Sequence, residues 1–134
     1  LEYCSIIFTN EVERQTIEDI LGYELTSLLD TANAGIIVTT LGEEGSRCYY
    51  NVGSGVCEQY IPICKAGQVA DTTGSGDAYV PGFLYGLLNG YEPRDCAMLG
   101  TVLSSFVIEK EGCCTNAPDT DALLSRYKSF QEEF

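Results

Sequence analysis

The sequence predicts an α/β fold carrying part of a mostly parallel sheet. In the first half, two apolar runs of strand length, "YCSIIFTN" and "AGIIVTTLG", flank a segment whose apolar residues recur at helical spacing. In the second half, helical patterns follow two shorter strand patterns. Strand, helix, strand, hairpin and three helices is the resulting order.

Residues 3–9 read as a short buried strand, and Asn10 is placed to cap the helix that follows. Helical spacing covers about 11–32 with a break near Gly22, and Ile17, Ile20, Leu21, Leu25, Leu28 and Leu29 fall on the expected inner side. "AGIIVTTLG" stays largely apolar up to its closing glycine, the look of a central parallel strand buried on both faces. "SRCYYN" and "CEQYIPI" are shorter strands with glycine-rich turns between them. From Gly76 to about Asn89 a helix is expected, with Val80, Phe83, Leu84, Leu87 and Leu88 as its apolar residues. Gly90 ends it, and Pro93 suits the first turn of a helix over about 93–109. That helix puts Cys96, Leu99, Leu103, Phe106 and Val107 on one face. Past "KEGCCTNAP" a last amphipathic helix runs from Asp119 to about Phe130.

At 134 residues the chain has the length of one domain. A chain of this size buries about two-thirds of its unfolded surface, so a core is possible. No apolar run approaches the roughly 18 residues of a membrane span, and no signal peptide opens the sequence. Leu1 stands directly in a strand-like segment, so the chain reads as a piece of a longer protein. The net charge of −13, from 20 acids against 7 bases, argues against nucleic acid, which is bound by neutralising phosphates with Lys and Arg. It argues equally against an anionic membrane surface; solubility is the simpler account of the acidity. The absence of histidine removes Ser-His-Asp and Cys-His catalysis and most transition-metal sites. The seven cysteines include no C-x-x-C pair and, without a secretory signal, read as small apolar residues of a reduced cytoplasmic protein. The vicinal pair Cys113-Cys114 leaves a redox reading open.

The chemistry concentrates in "VADTTGSGDAYVPGF", residues 69–83. Phosphoryl transfer asks a protein for positioning, for donors facing the transferred charge, and for an acceptor of the alcohol's proton. A helix N-terminus supplies unpaired N–H groups and the positive end of a dipole. Glycines at 74 and 76 let a backbone approach an oxyanion where a Cβ would obstruct. Asp77, in the first turn, is placed to accept a proton from a hydroxyl. An ordinary Ser/Asp-rich helix cap accounts for the same composition. The string is neither a P-loop, since no Lys follows, nor G-x-G-x-x-G.

"DTTGSGDAY" closely resembles the C-terminal signature of the ribokinase-like (PfkB) family of sugar and nucleoside kinases, D-T-T-G-[AS]-G-D followed by a small and an aromatic residue. Tyr79 stands where that family more usually has Phe. Other pieces fall in the family's order. "NEVE" resembles its N-x-x-E motif, "TLGEEG" its T-x-G-x-x-G turn, and "VIEKEGCCTNAP" the segment that closes the adenine pocket and a cation loop.

The resemblance implies a ribokinase-like three-layer α/β/α fold with a mostly parallel sheet. It implies transfer of the γ-phosphate of ATP to a hydroxyl of a small-molecule sugar or nucleoside, with Mg²⁺ and a monovalent cation such as K⁺. Asp77 corresponds to the catalytic base, and Gly74, Ser75 and Gly76, with the Asp77 amide, to the anion hole. Asn10 and Glu13 correspond to residues that organise Mg²⁺ and phosphate. Three apart at a helix start, they share a face and offer oxygens suited to Mg²⁺ through water, although a plain helix cap would use the same pair. Asp71 and the Thr73 carbonyl resemble one side of the monovalent-cation site, and carbonyls near Val107, Lys110 and Gly112 the other. Thr40, Gly42 and Gly45 would lie beside the nucleotide, and Gly100, Leu103 and Asn116 on its adenine side.

Members of the family are much longer. Their amino-terminal half brings further strands, most substrate contacts and a β lid, and none of these is in this sequence. Residues 1–134 therefore read as the carboxy-terminal, nucleotide-binding portion of such a kinase, with little or no activity alone. An exposed apolar sheet edge is expected, and a homodimer is left open. The alternative is a stand-alone nucleotide-binding or interaction module derived from the fold, its catalysis lost. Which sugar or nucleoside is used is not written in this half.

Overall fold

The computed structural model describes residues 5–31, 34–65, 67–70, 72, 74–112 and 116–133. They fall into two compact units, Leu1–Pro62 and Ile63–Phe134. Residues 1–4, which include Tyr3 and Cys4 of the expected opening strand, and the Cys113-Cys114 pair lie outside the described residues.

In the first unit the order is β1 (Ile6–Asn10), α1 (Glu11–Leu21), α2 (Ser27–Asp30), β2 (Ile36–Thr40), β3 (Ser46–Asn51) and β4 (Val56–Ile61), in one sheet ordered β1-β2-β3-β4. β1 and β2 pair in parallel, Ile7 beside Ile37 and Asn10 beside Thr40. β2–β3 and β3–β4 are antiparallel. The sheet is thus mixed over these four strands. A parallel pair needs a crossover, here through α1 and α2, whereas the short turns after β2 and β3 close only antiparallel neighbours. The first four residues of β2 are buried, as a strand covered on both faces requires.

Alternation along the strands turns Ile7 and Ile37 toward one face, where they pack with Leu25, Leu28, Leu29, Ala34 and Tyr49. Ile17 and Leu21 of α1 pack against this cluster. α1 stops at Gly22, whose φ of 79° is left-handed and whose amide donates to the Glu18 carbonyl at 2.8 Å. Ile20, expected inside, is 79% exposed. It falls roughly a quarter of a turn away from the face shared by Ile17 and Leu21.

The second unit contains α3 (Ser75–Leu88), α4 (Pro93–Val107) and α5 (Thr120–Glu132). α3 buries Ala78, Tyr79, Gly82, Phe83 and Gly86, while Leu84 and Leu87 are partly exposed and Leu88 is 87% exposed. The helix therefore meets α4 along its small residues rather than along its leucines. A Cβ on Gly82 would lie 2.8 Å from the Gly100 Cα, and one on Gly100 would lie 2.7 Å from the Tyr79 carbonyl oxygen. Backbones this close exclude any side chain at either glycine. α4 begins with Pro93 in its first turn, as expected, and presents a nearly continuous buried face from Cys96 to Val102. No helix among the described residues is long and apolar enough to cross a membrane.

Candidate active site

The turn before α3 is built on Gly74. Its φ of 82° and ψ of 2° place it in the left-handed region, and it occupies the helix N-cap without a side-chain acceptor. The Ser/Asp cap that composition also allowed is not what starts this helix. α3 begins one residue earlier than expected, so Ser75, Gly76 and Asp77 form its first three positions. The Ser75 amide donates to the Thr72 carbonyl at 3.3 Å, and the Ala78 amide to the Gly74 carbonyl at 2.9 Å. Gly76 and Asp77 are exposed. Among the described residues a Cβ on Gly76 would meet no atom within 4 Å, so their packing does not require glycine there. A carboxylate beside first-turn amides is favoured by the helix dipole.

Four residues on, Pro81 interrupts the α3 ladder from an exposed position. Lacking an N–H, it leaves the Asp77 carbonyl without its usual helical donor. Asp71 and Thr73, the expected cation ligands before the turn, lie outside the described residues.

Asn10 and Glu13 are joined in a reciprocal capping box. The Glu13 amide donates to Asn10 Oδ1 at 2.8 Å, and the Asn10 amide donates to Glu13 Oε2 at 2.9 Å. Both side chains are exposed, and Glu13 keeps a second carboxylate oxygen outside the box. Mg²⁺ usually retains several waters, so one carboxylate oxygen and an amide oxygen reached through water fit its needs. No cluster of three or more His, Cys, Asp or Glu suited to a metal occurs among the described residues.

The parallel pairing sets Asn10 directly beside Thr40 and so brings two candidate motifs together within the first unit. The Thr40 hydroxyl donates to the Thr9 carbonyl at 3.5 Å. Gly42 and Gly45 have φ values of 60° and 98°, and a Cβ on Gly45 would overlap the Ile61 carbonyl oxygen. These glycines are demanded by the turn itself. Arg14, which no motif singled out, donates to Thr39 Oγ1 at 3.3 Å, pairs with Glu18 at 3.4 Å and stacks on the Tyr49 ring at 4.9 Å. Burial disfavours its charge, but Tyr49 and Glu18 outweigh that and raise its pKa further. Arg14 thereby fastens the first turn of α1 to the end of β2. The only local signal was its i, i+4 spacing to Glu18.

In the second unit, Gly100 is buried against α3, so packing accounts for it. Leu103 is half-buried on α4. Asn116 donates through Nδ2 to the Phe106 carbonyl at 2.6 Å and to Glu109 Oε2 at 3.4 Å. Val107 closes α4, and Lys110 and Gly112 follow in the loop, Gly112 with a φ of 91°. Ser104 Oγ donates to the Ser75 carbonyl at 2.7 Å, which ties the last turn of α4 to the first residue of α3. Ser104 carries no sequence signal, and Glu109 lies in the quoted "VIEKEGCCTNAP" segment without being singled out, because each acts on a partner far along the chain.

The arrangement matches known proteins over almost its full length. Residues 1–120 match the family model described as pfkB family carbohydrate kinase. A nucleoside kinase of Methanocaldococcus jannaschii is 34% identical over 126 residues, covering 94% of this chain and 40% of that protein. A nucleoside kinase of Methanothermobacter thermautotrophicus is 33% identical over 125 residues, covering 92% of this chain and 38% of that protein. The crystal structure of the M. jannaschii enzyme, described as an archaeal member of the ribokinase family, superposes with a TM-score of 0.85 at 33% identity over 93% of this chain and 40% of its own. The nucleoside kinase of Burkholderia thailandensis in complex with inosine superposes with a TM-score of 0.84 at 26% identity, over 93% of this chain and 39% of its own. The chain thus spans about two-fifths of the length of the relatives it matches. A glycine-capped α3 bearing Asp77, the N-x-x-E cap and the T-x-G-x-x-G turn stand in one chain with a ribokinase fold, and the chain belongs to the pfkB family of carbohydrate kinases.

Proposed function

We propose that this chain carries the nucleotide-binding and base-bearing part of an ATP-dependent kinase that phosphorylates a hydroxyl of a nucleoside or sugar. The observation that carries the proposal is the start of α3. Gly76 has no packing reason to be glycine, yet a glycine in a helix costs about 1 kcal/mol relative to alanine. Close approach of an anion to the first-turn amides accounts for it. The relatives named as nucleoside kinases favour a nucleoside over a sugar as the acceptor.

In this reading the acceptor hydroxyl attacks the γ-phosphorus of ATP, the bond from that phosphorus to the bridging oxygen breaks so that ADP leaves with the oxygen, and the hydroxyl proton passes to the Asp77 carboxylate. The Gly74–Gly76 turn and the Asp77 amide would face the charge gathering on the transferred phosphoryl group, with the Gly76 and Asp77 amides as donors while the Ser75 amide closes the turn on the Thr72 carbonyl. One such donor is worth roughly 10²–10³ in rate. Mg²⁺ supplies neutralisation of phosphate charge, and Asn10 and Glu13 would hold it through water. Carbonyls at Val107, Lys110 and Gly112, with Asp71 and Thr73, would hold a monovalent cation. Alone, the 134-residue chain binds nucleotide with little turnover, and its setting is the reducing cytoplasm; the described cysteines Cys48, Cys57, Cys64 and Cys96 stand outside any disulfide.

The test is Asp77→Asn in the full-length protein, assayed against a panel of nucleosides and sugars. Turnover should vanish while ATP binding, measured by calorimetry, stays nearly intact. Retained turnover removes Asp77 as the base.

A further inference from the structure

The loop that leads into the α3 turn hangs on the exit of α4. The Ala70 amide donates to the Ile108 carbonyl at 2.9 Å, and the Gly67 amide donates to Glu109 Oε1 at 3.1 Å. Residues 67–70 are otherwise exposed. With the Ser104–Ser75 bond, three residues of one short stretch, 104, 108 and 109, hold the approach to the turn and its first helical residue.

Glu109 is the centre of this mount. Its Oε1 also receives Arg126 Nη1 of α5 at 2.6 Å, and its Oε2 receives the Asn116 amide at 3.4 Å. Arg126 is fixed in turn, with its guanidinium 3.5 Å over the Phe106 ring and donating to Ser105 Oγ at 3.0 Å. Both partners are largely shielded, with side-chain exposures of 25% for Arg126 and 18% for Glu109. A charge-assisted bond this short and this supported holds its carboxylate in one orientation. That orientation aims an oxygen at the Gly67 amide, 42 residues away in sequence.

We propose that Glu109, locked by Arg126, is a positioning residue that sets the 67–70 loop and through it the placement of the Gly74–Asp77 turn. The proposal rests on the phosphotransfer reading for its catalytic consequence, and on hydrogen bonding alone for its structural one. Glu109 touches no reacting atom in this account. α5, which carries no motif, contributes to the site through it.

Two measurements test it. Amide exchange followed by mass spectrometry on the 134-residue chain reads the structural arm, comparing wild type with Glu109→Ala, Glu109→Gln and Arg126→Gln. Glu109→Ala should speed exchange of peptides covering 67–77 by about tenfold, as loss of a charge-assisted bond implies, with the sheet unaffected. Glu109→Gln keeps an oxygen for Gly67 and should restore most of the protection. No change, or faster exchange spread evenly over the chain, overturns the proposal. Should Glu109→Ala not fold, Arg126→Gln decides by the same local criterion.

Steady-state kinetics of the full-length protein reads the catalytic arm. Glu109→Ala should lower kcat about tenfold with the ATP KM within about twofold, and Glu109→Gln should recover it. An unchanged kcat per folded molecule overturns the catalytic consequence. A wild-type protein that transfers no phosphate refutes the phosphotransfer reading instead, and leaves the exchange result standing on its own.

Discussion

The Ser104 hydroxyl donates to the Ser75 carbonyl at 2.7 Å, joining the last turn of one helix to the first residue of another. That carbonyl belongs to the middle residue of the Gly74–Gly76 turn proposed as the anion hole. Ser104→Ala should therefore cost about 1 kcal/mol in stability, the usual net worth of such a bond. In the full-length protein it should also lower kcat more than it raises the ATP KM. Equal kcat in a destabilised protein would make Ser104 purely a packing residue.

Two glycines in α3 should behave in opposite ways. Gly82→Ala forces a Cβ to 2.8 Å from Gly100 and should destabilise by about 1–3 kcal/mol, read as a lowered urea midpoint. Gly76→Ala meets open space and should leave the midpoint unchanged or raised, since alanine favours helix. Its penalty should fall on phosphoryl transfer instead, about 10²-fold in kcat/KM. If Gly76→Ala retains full activity, close approach of an anion is not why the glycine is there.

Glu13→Gln should keep the helix start, because an amide oxygen can still accept the Asn10 amide. Its effect should appear in a Mg²⁺ titration, as a half-saturating concentration raised about tenfold. An unmoved titration would leave Glu13 as a capping residue alone.

Glu109 gives the molecule an acid-sensitive fastening. Burial pushes its carboxyl up, but hydrogen bonds from Arg126 and the Gly67 amide together outweigh this and hold it below the usual carboxylate range. A group depressed in the folded state adds stability above its unfolded pKa and loses it as pH falls through its folded one. Wild type should weaken as pH drops below about 4.3, the ordinary Glu value, while Glu109→Gln should show a shallower fall. Urea denaturation at steps from pH 6 to pH 3 checks this; identical slopes refute the contribution.

What the sequence disclosed was local. The cap at Asn10 and Glu13 and the turn at Gly74–Asp77 depend on residues three or four apart, so their spacing carried the information. The α3–α4 contact was hidden because glycines are not apolar signals. Leu84, Leu87 and Leu88 looked like the buried side, yet Gly82 and Gly86 are what lets the helices close up. The apolar runs point to a mostly parallel sheet, and the hairpin pattern to one antiparallel pair within it. Its described strands include two antiparallel pairings, which the short turns dictated. The roles of Arg14, Glu109 and Arg126 are not legible locally for another reason: each also finds partners 17 to 42 residues away, which come together only after the chain has folded.

The pinning of α3 has a consequence for heat as well as for geometry. The helix is held at Ser75 by Ser104 and at Gly82 by direct contact with Gly100, and neither point has room to slide. On the proposed function, an arriving triphosphate would then find the turn already set, with little backbone freedom left to lose. Nucleotide binding should accordingly lack the large unfavourable entropy of a loop that orders on contact.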